Sequence, residues 1–157
     1  MSKKSTILFT ATILILLSIV LNTVIAESGI GLKINMTDSL PYRLFLSRKA
    51  YSQGLKHGTI ISFSNVQLEI PLAKQIAGLP GDNIRVMADH VYINDVCFGK
   101  IHTESPCGMK LTPIQEGEIP HGFVFVCGQH EQSYDSRYAE FGLVKMEKIQ
   151  DVLWPLF

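Results

Sequence analysis

A lysine set in an apolar row and a serine beside a proline are the residues of this chain whose surroundings suggest chemistry. Lys74 lies in the run Glu69-Ile70-Pro71-Leu72-Ala73-Lys74-Gln75-Ile76-Ala77. With a strand period of two, Ile70, Leu72, Lys74 and Ile76 face one way, which carries the amine into the apolar row. Burial disfavours the ammonium form and turns the amine towards general-base work. Ser39 lies in Thr37-Asp38-Ser39-Leu40-Pro41-Tyr42-Arg43-Leu44-Phe45. A hydroxyl is a weak nucleophile until a base takes its proton, and a neutral lysine can take it. The chemistry of such a pair would be attack on a carbonyl. Each residue also has a plainer reading. An inward lysine guards a sheet edge against aggregation, and Asp38 or Ser39 serves as a turn or capping residue. Taken alone, each plainer reading is the better one.

The elements that would position these residues are short strands. His57-Gly58 opens Thr59 to Phe63, a strand rich in β-branched residues. The Lys74 strand follows and stops at Gly78-Leu79-Pro80-Gly81-Asp82, where Pro80-Gly81 suits the centre of a type II turn. Strands are expected at 83–87 and 91–93, joined by a hairpin at Ala88-Asp89-His90, and at 96–98 after a turn at Asn94-Asp95. Residues 99–121 read as loop. Gly122 to Cys127 reads as a strand buried on both faces, and a last strand is expected near 142–146. No strong amphipathic helix follows Ala26. Close-spaced strands with Gly/Pro turns indicate a mainly β, antiparallel barrel or sandwich.

At 157 residues there is room for one compact domain and an appendage. The appendage is Ile7 to Ala26, an uncharged run of Ile, Leu and Val long enough to cross a bilayer as a helix. Lys3 and Lys4 precede it, so the positive-inside rule leaves 1–6 as a cytoplasmic tail, makes 7–26 a transmembrane signal anchor and exports 27–157. A cleaved secretory signal ending at Ala26 is the competing reading. The apolar stretch exceeds the usual signal core, which favours the anchor. Either reading places the domain outside the cytoplasm. The whole chain is neutral, and without Lys3 and Lys4 the exported part has a balance of −2. No basic block is present, which speaks against nucleic acid as a partner. Cys97 and Cys107, separated by nine residues in an oxidising compartment, are expected to form a disulfide, and Cys127 to be a buried thiol. Cys127 and His130 have C-x-x-H spacing but no second ligand pair, so no metal or other cofactor is expected. Ser39 comes about 13 residues after the apolar run and so within about 45 Å of the membrane.

Several boxes together resemble the type I signal peptidase superfamily. Ser39-Leu40-Pro41 is similar to the signature around that family's nucleophile. Gly58 to Phe63 resembles the strand that follows. Lys74-Gln75-Ile76-Ala77-Gly78-Leu79-Pro80-Gly81-Asp82 resembles the box headed by its catalytic lysine. Val91-Tyr92-Ile93-Asn94, Ser133-Tyr134-Asp135-Ser136-Arg137-Tyr138 and Gly142-Leu143-Val144 follow in the family's order. Small size, one N-terminal segment and Ser-Leu-Pro-Tyr-Arg-Leu-Phe are most like the TraF-type peptidases of conjugative transfer. The chain departs from the pattern at Thr59, at Gln75 and in Gly128-Gln129-His130-Glu131-Gln132, a stretch one residue shorter than usual.

The resemblance implies a signal-peptidase-like fold and a Ser39/Lys74 dyad, and it reverses the weighting of both plainer readings. It implies Thr37 as an oxyanion donor alongside the Ser39 N–H, Ser133 as the group that orients Lys74, and Asp135 with Arg137 as a supporting ion pair. Arg137 could instead be a surface partner of Glu131 or Glu140. The implied function is cleavage of a membrane-associated precursor after a small residue, with a pilin as substrate, by hydrolysis or with cyclisation. The implied site of action is the outer face of the inner membrane, alongside the lipid bilayer and conjugative-transfer machinery. A general signal peptidase acting on many preproteins, a non-catalytic membrane-anchored assembly factor and a self-cleaving Ser–Lys regulator are the alternatives. Asn35-Met36-Thr37 fits a glycosylation sequon, to which no role is given.

Overall fold

The computed structural model of the chain describes residues 3–50, 54–64 and 71–157, and within helix α1 it leaves the side chains of 3–8, 21, 25 and 26 undescribed. α1 covers Lys3–Ser28. Its described large apolar side chains, from Phe9 to Val24, are exposed on all sides. Among the described residues no helix is long and apolar enough to cross a membrane. The longest unbroken stretch of described side chains in α1, 9–20, would reach only about 18 Å at 1.5 Å per residue. The anchor expected over 7–26 therefore falls partly outside the described residues.

Among the described residues eleven strands follow, all paired antiparallel. A seven-stranded sheet runs in the order β1 (Ile30–Ile34), β2 (Leu44–Lys49), β11 (Ile149–Pro155), β3 (Ile60–Ser64), β4 (Pro71–Gly78), β9 (Phe123–Cys127) and β10 (Val144–Lys145). A four-stranded sheet runs β7 (Val96–Lys100), β6 (His90–Ile93), β5 (Asn83–Met87) and β8 (Gly117–Glu118). Among the described residues neither sheet closes on itself, so the barrel-or-sandwich expectation resolves to two open sheets. Ile84, Val91, Ile93, Ile119 and Phe125 pack between them, and a second apolar cluster gathers Ile61, Phe63, Leu72, Ile76, Val124 and Val126.

Several turns follow from local chemistry. At the end of β4 the Asp82 N–H donates to Leu79 O at 3.0 Å, with Gly81 at φ 90°. Ala88 and Asp89 form the two-residue turn between β5 and β6. Four strands depart from the sequence reading, one of them β8, which pairs with β5 from within the 99–121 stretch read as loop. β1 and β2 were not expected, and the last strand is not 142–146 but β11, which lies inside the large sheet. Val144–Lys145 remains only as a two-residue edge, followed by a 3-10 turn at Met146–Lys148.

The reason lies in the side chains these strands bury. Ser47 of β2 and Asp151 of β11 face inward. Asp151 Oδ2 accepts a hydrogen bond from Ser62 Oγ of β3 at 3.0 Å and pairs closely with Lys33 Nζ of β1. This polar clasp fastens the first strand across the sheet. The opposite face is apolar and open, with Leu32, Leu46 and Trp154 side by side in register and Ile30 and Ile34 flanking them.

Candidate active site

Lys74 lies in mid-β4, opposite Ile61 of β3, with Leu72 and Ile76 buried on the same side. Ile70, the first member of the expected apolar row, lies outside the described residues. The period-two reading holds for the other three, and Lys74 is 3% exposed. Its Nζ lies 2.7 Å from Ser39 Oγ and 2.6 Å from Ser133 Oγ. Burial lowers the lysine pKa from 10.5 to about 8; Asp135 pulls the other way, and the Arg137 guanidinium adds to the lowering. Cys127, which also acts on the lysine, is buried as expected, and burial pushes its thiol up to about 12.

Ser39 sits in the loop between β1 and β2. Asn35 ties both ends of that loop together. Its N–H donates to Arg43 O at 2.9 Å, and its Oδ1 accepts the N–H and hydroxyl of Thr37 at 3.1 and 2.9 Å. Its Nδ2 donates to Tyr42 O at 3.1 Å. Leu40 anchors the loop in a cluster with Phe45, Ile60 and Leu153. From the other side, the Gln129 N–H donates to Ser39 O at 2.7 Å. The Ser39 N–H donates to no acceptor among the described residues, so it is free to meet an oxyanion. The Thr37 hydroxyl is bonded to Asn35 in this state and would have to rotate to join it.

The segment after β9 brings the second hydroxyl. At Gly128 a Cβ would stand 2.2 Å from Ser133 Oγ and 2.9 Å from Ser39 O, so only glycine lets the two segments meet. Behind Ser133 lies a buried ion pair. Arg137 Nε and Nη2 donate to the two carboxylate oxygens of Asp135 at 2.9 and 3.0 Å. Arg137 also donates to the carbonyls of Ser133, Lys100 and Glu131, and Asp135 accepts the Gly128 N–H at 2.9 Å. Arg137 is thus committed to Asp135 and to backbone, not to the carboxylate of Glu131 or Glu140. The shortened 128–132 stretch leaves this support in place. A fork-to-fork pair with satisfied neighbours makes a rigid back wall for the lysine and its two hydroxyls.

Ser39 and Ser133 line a cleft of about 240 Å³ with Asp38, His130 and Tyr134. Among the described residues no three His, Cys, Asp or Glu side chains converge on a metal position. The disulfide expected between Cys97 and Cys107 is not formed, and both are exposed free thiols. Cys97 is fixed in β7 opposite Tyr92, while Cys107 sits at the tip of a small hairpin closed by the Glu104–Lys110 bridge. The sequence reading named Ser39, Lys74, Ser133, Asp135 and Arg137, which the structure brings together. It missed Asn35 and Gly128, since a sequon and a lone glycine give no sign of the loop they hold.

Residues 3–153 match the family model described as signal peptidase, peptidase S26. The chain belongs to this family. Within it, the chain is 30% identical over 89 residues to the conjugal transfer protein TraF of Agrobacterium fabrum, covering 55% of this chain and 49% of that protein. It is 31% identical over 121 residues to signal peptidase I P of Bacillus subtilis subsp. natto, covering 69% and 62% respectively. The chain therefore spans less than two thirds of the length of either relative. A crystal structure of a signal peptidase I from Enterococcus faecalis V583 is 27% identical, with a TM-score of 0.45 over 65% of this chain and 98% of that one.

Proposed function

We propose that this signal peptidase family member is a membrane-anchored serine endopeptidase working through Ser39 and Lys74. One observation carries the reading: a buried lysine amine lies 2.7 Å from a serine hydroxyl and 2.6 Å from a second one that can orient it. In the neutral form the Lys74 lone pair accepts the Ser39 proton as Oγ bonds to the substrate carbonyl carbon. The Ser39 N–H, joined by the Thr37 hydroxyl once it rotates, receives the oxyanion. When the tetrahedral centre collapses, the C–N bond breaks and Lys74 returns the proton to the departing amine. Ser39 then holds the acyl group as an ester. Water, activated by the again-neutral Lys74, releases the acid. The substrate's own amine in place of water would give a ring.

The enzyme's place is the outer face of the inner membrane, with α1 crossing the bilayer and 27–157 outside. The uncharged run of 7–26 supports this. So does the open apolar face of Leu32, Leu46 and Trp154 on the sheet that begins where α1 ends. The substrate is a membrane-associated precursor cut after a small residue. Likeness to TraF and the Ser-Leu-Pro-Tyr-Arg-Leu-Phe stretch favour maturation of a conjugative pilin. Likeness to signal peptidase I P favours a second reading, removal of signal peptides from many exported proteins.

Mass spectrometry of a co-expressed pilin precursor and of several secretory precursors separates the two readings by which are shortened. The Lys74→Ala and Ser39→Ala enzymes should leave every precursor intact. Processing that continues in either variant would remove the dyad and leave a non-catalytic assembly factor. Wild-type activity should rise with pH through about 8, as Lys74 loses its proton. In sealed vesicles with the outer face exposed, Cys107 should react with a membrane-impermeant maleimide.

A further inference from the structure

The cleft that holds Ser39 adjoins a second cavity. Pro106, Gln132 and Tyr134 wall the cleft on one side, and the same three residues wall a cavity of about 540 Å³ beyond it. That volume lies within the range of about 300–1,000 Å³ usual for ligand pockets. Met109, Leu111 and Tyr138 make its lining mainly apolar. The rings of Tyr134 and Tyr138 stack with centroids 6.2 Å apart, which offers an aromatic face. The outer wall is the hairpin closed by the Glu104–Lys110 bridge, with Pro106 and Cys107 near its tip. In the wall lies an unsettled polar group. His102 Nε2 is buried without a hydrogen-bond partner among the described residues, and the Glu131 carboxylate at 3.9 Å is too far to supply one. A hydrogen-bonding group on an incoming chain can pair with this nitrogen.

The proposed chemistry says which half of a substrate passes this way. Lys74 must hand its proton to the departing amine, so the departing chain leaves past the Lys74 ammonium. Ser133, whose hydroxyl touches that nitrogen, lines the cleft that shares Pro106, Gln132 and Tyr134 with the cavity. We propose that the cavity is a subsite for the departing chain. It takes a bulky apolar side chain, aromatic by preference, from the first few residues after the cut. This assignment rests on the Ser39–Lys74 reading and adds to it a preference on the far side of the scissile bond.

The test uses the full-length protein in detergent and peptides identical up to the cut. Each of the first four positions beyond it is varied in turn among Ser, Asp, Leu and Phe, and kcat/KM is measured for each peptide. One position should favour Phe over Ser by roughly tenfold or more, the scale on which an apolar pocket discriminates. In a Cys97→Ser background, alkylation of exposed Cys107 with N-ethylmaleimide should bring that ratio close to one, since Cys127 is buried and escapes the reagent. Met109→Asp, at an exposed position in the cavity wall, should lower the ratio independently. Cleavage of all peptides with a flat profile would remove the subsite and leave the dyad standing. A preference that survives both changes would also overturn it. Cleavage of no peptide would remove the dyad reading and the subsite with it.

Discussion

Lys33 and Lys74 each bring an amine against a serine hydroxyl, at 3.1 Å from Ser62 Oγ for the first and at 2.7 and 2.6 Å from Ser39 and Ser133 for the second. The surroundings then diverge. Lys33 also meets the Asp151 carboxylate, and its side chain is 35% exposed. Lys74 is almost fully enclosed, and Asp135 engages both its oxygens with Arg137 and the Gly128 N–H. A carboxylate in direct contact stabilises an ammonium, whereas enclosure among neutral hydroxyls does not. The comparison teaches that a lysine–serine contact is not by itself a catalytic pair. What singles out Lys74 is that, among the described residues, no carboxylate bonds it directly and the N–H of its serine meets no acceptor.

The largest expected effect is a contrast between two identical substitutions. Lys74→Met should lower precursor cleavage by on the order of 10⁴-fold or more, the scale seen when one member of a nucleophile–base unit is removed. Lys33→Met should leave kcat within a few-fold of the wild type. It should instead loosen β1, destabilising the fold by about 1 kcal/mol, a figure reduced because the pair is partly exposed. Cleavage assays beside denaturant melts of both variants test this. If Lys33→Met abolished turnover in a folded protein, the two lysines would not divide the work as the geometry indicates.

Gly128 sharpens the comparison from the other side. Lys33 meets its serine across an unobstructed sheet, but Ser133 reaches Lys74 only because residue 128 has no Cβ. Gly128→Ala should push Ser133 off the amine and disturb Ser39 O as well. A loss of roughly 100-fold in kcat is expected, with a smaller change in KM, since misplacement by about 1 Å costs that much. Ser133→Ala measured alongside separates loss of the second hydroxyl from displacement of the first. Wild-type turnover in Gly128→Ala would mean that the 128–133 segment does not set the lysine's position.

The same two lysines show what was legible beforehand. Lys74 stood out because it breaks an apolar row in a strand whose other inward residues are apolar, and β4 and β9 were read for the same reason. The first strand inverts that pattern. Gly31 and Lys33 point into the sheet, while Ile30, Leu32 and Ile34 are exposed, and β11 buries Asp151. Hydrophobic patterning presumes apolar residues inside, so strands with a polar clasp inside and an apolar open face are invisible to it. The meeting of residues 39, 74 and 133 could be inferred only from resemblance. Nothing local in the chain announces that a loop between β1 and β2 and a turn after β9 close on one amine. Asn35 illustrates the limit: its tripeptide looks like a modification site, yet the side chain is buried and spends its amide on the loop that carries Ser39.

The smallest expected effect concerns stability, and its sign follows from linkage. In the unfolded chain Lys74 keeps its proton up to about 10.5, whereas in the fold it releases it near 8. Between those values the unfolded state binds more protons, so folding stability gains as pH rises from 8 towards 10.5. Below 8 the protonated amine is carried at a cost on the order of 3 kcal/mol. Lys74→Met removes that cost but leaves two hydroxyls with one partner fewer. At pH 7 the variant should therefore be more stable than the wild type by about 1–2 kcal/mol. That advantage should shrink between pH 8 and 10 as the wild type sheds its proton. Lys33→Met, which breaks an ion pair instead of removing a buried amine, should be less stable than the wild type at pH 7. Urea melts of the three proteins at pH 7 and pH 10 decide the matter. An inactive Lys74→Met enzyme that is also less stable at pH 7 would show that the lysine is held in the core for the fold's sake, and the functional contrast between the two amines would lose its physical basis.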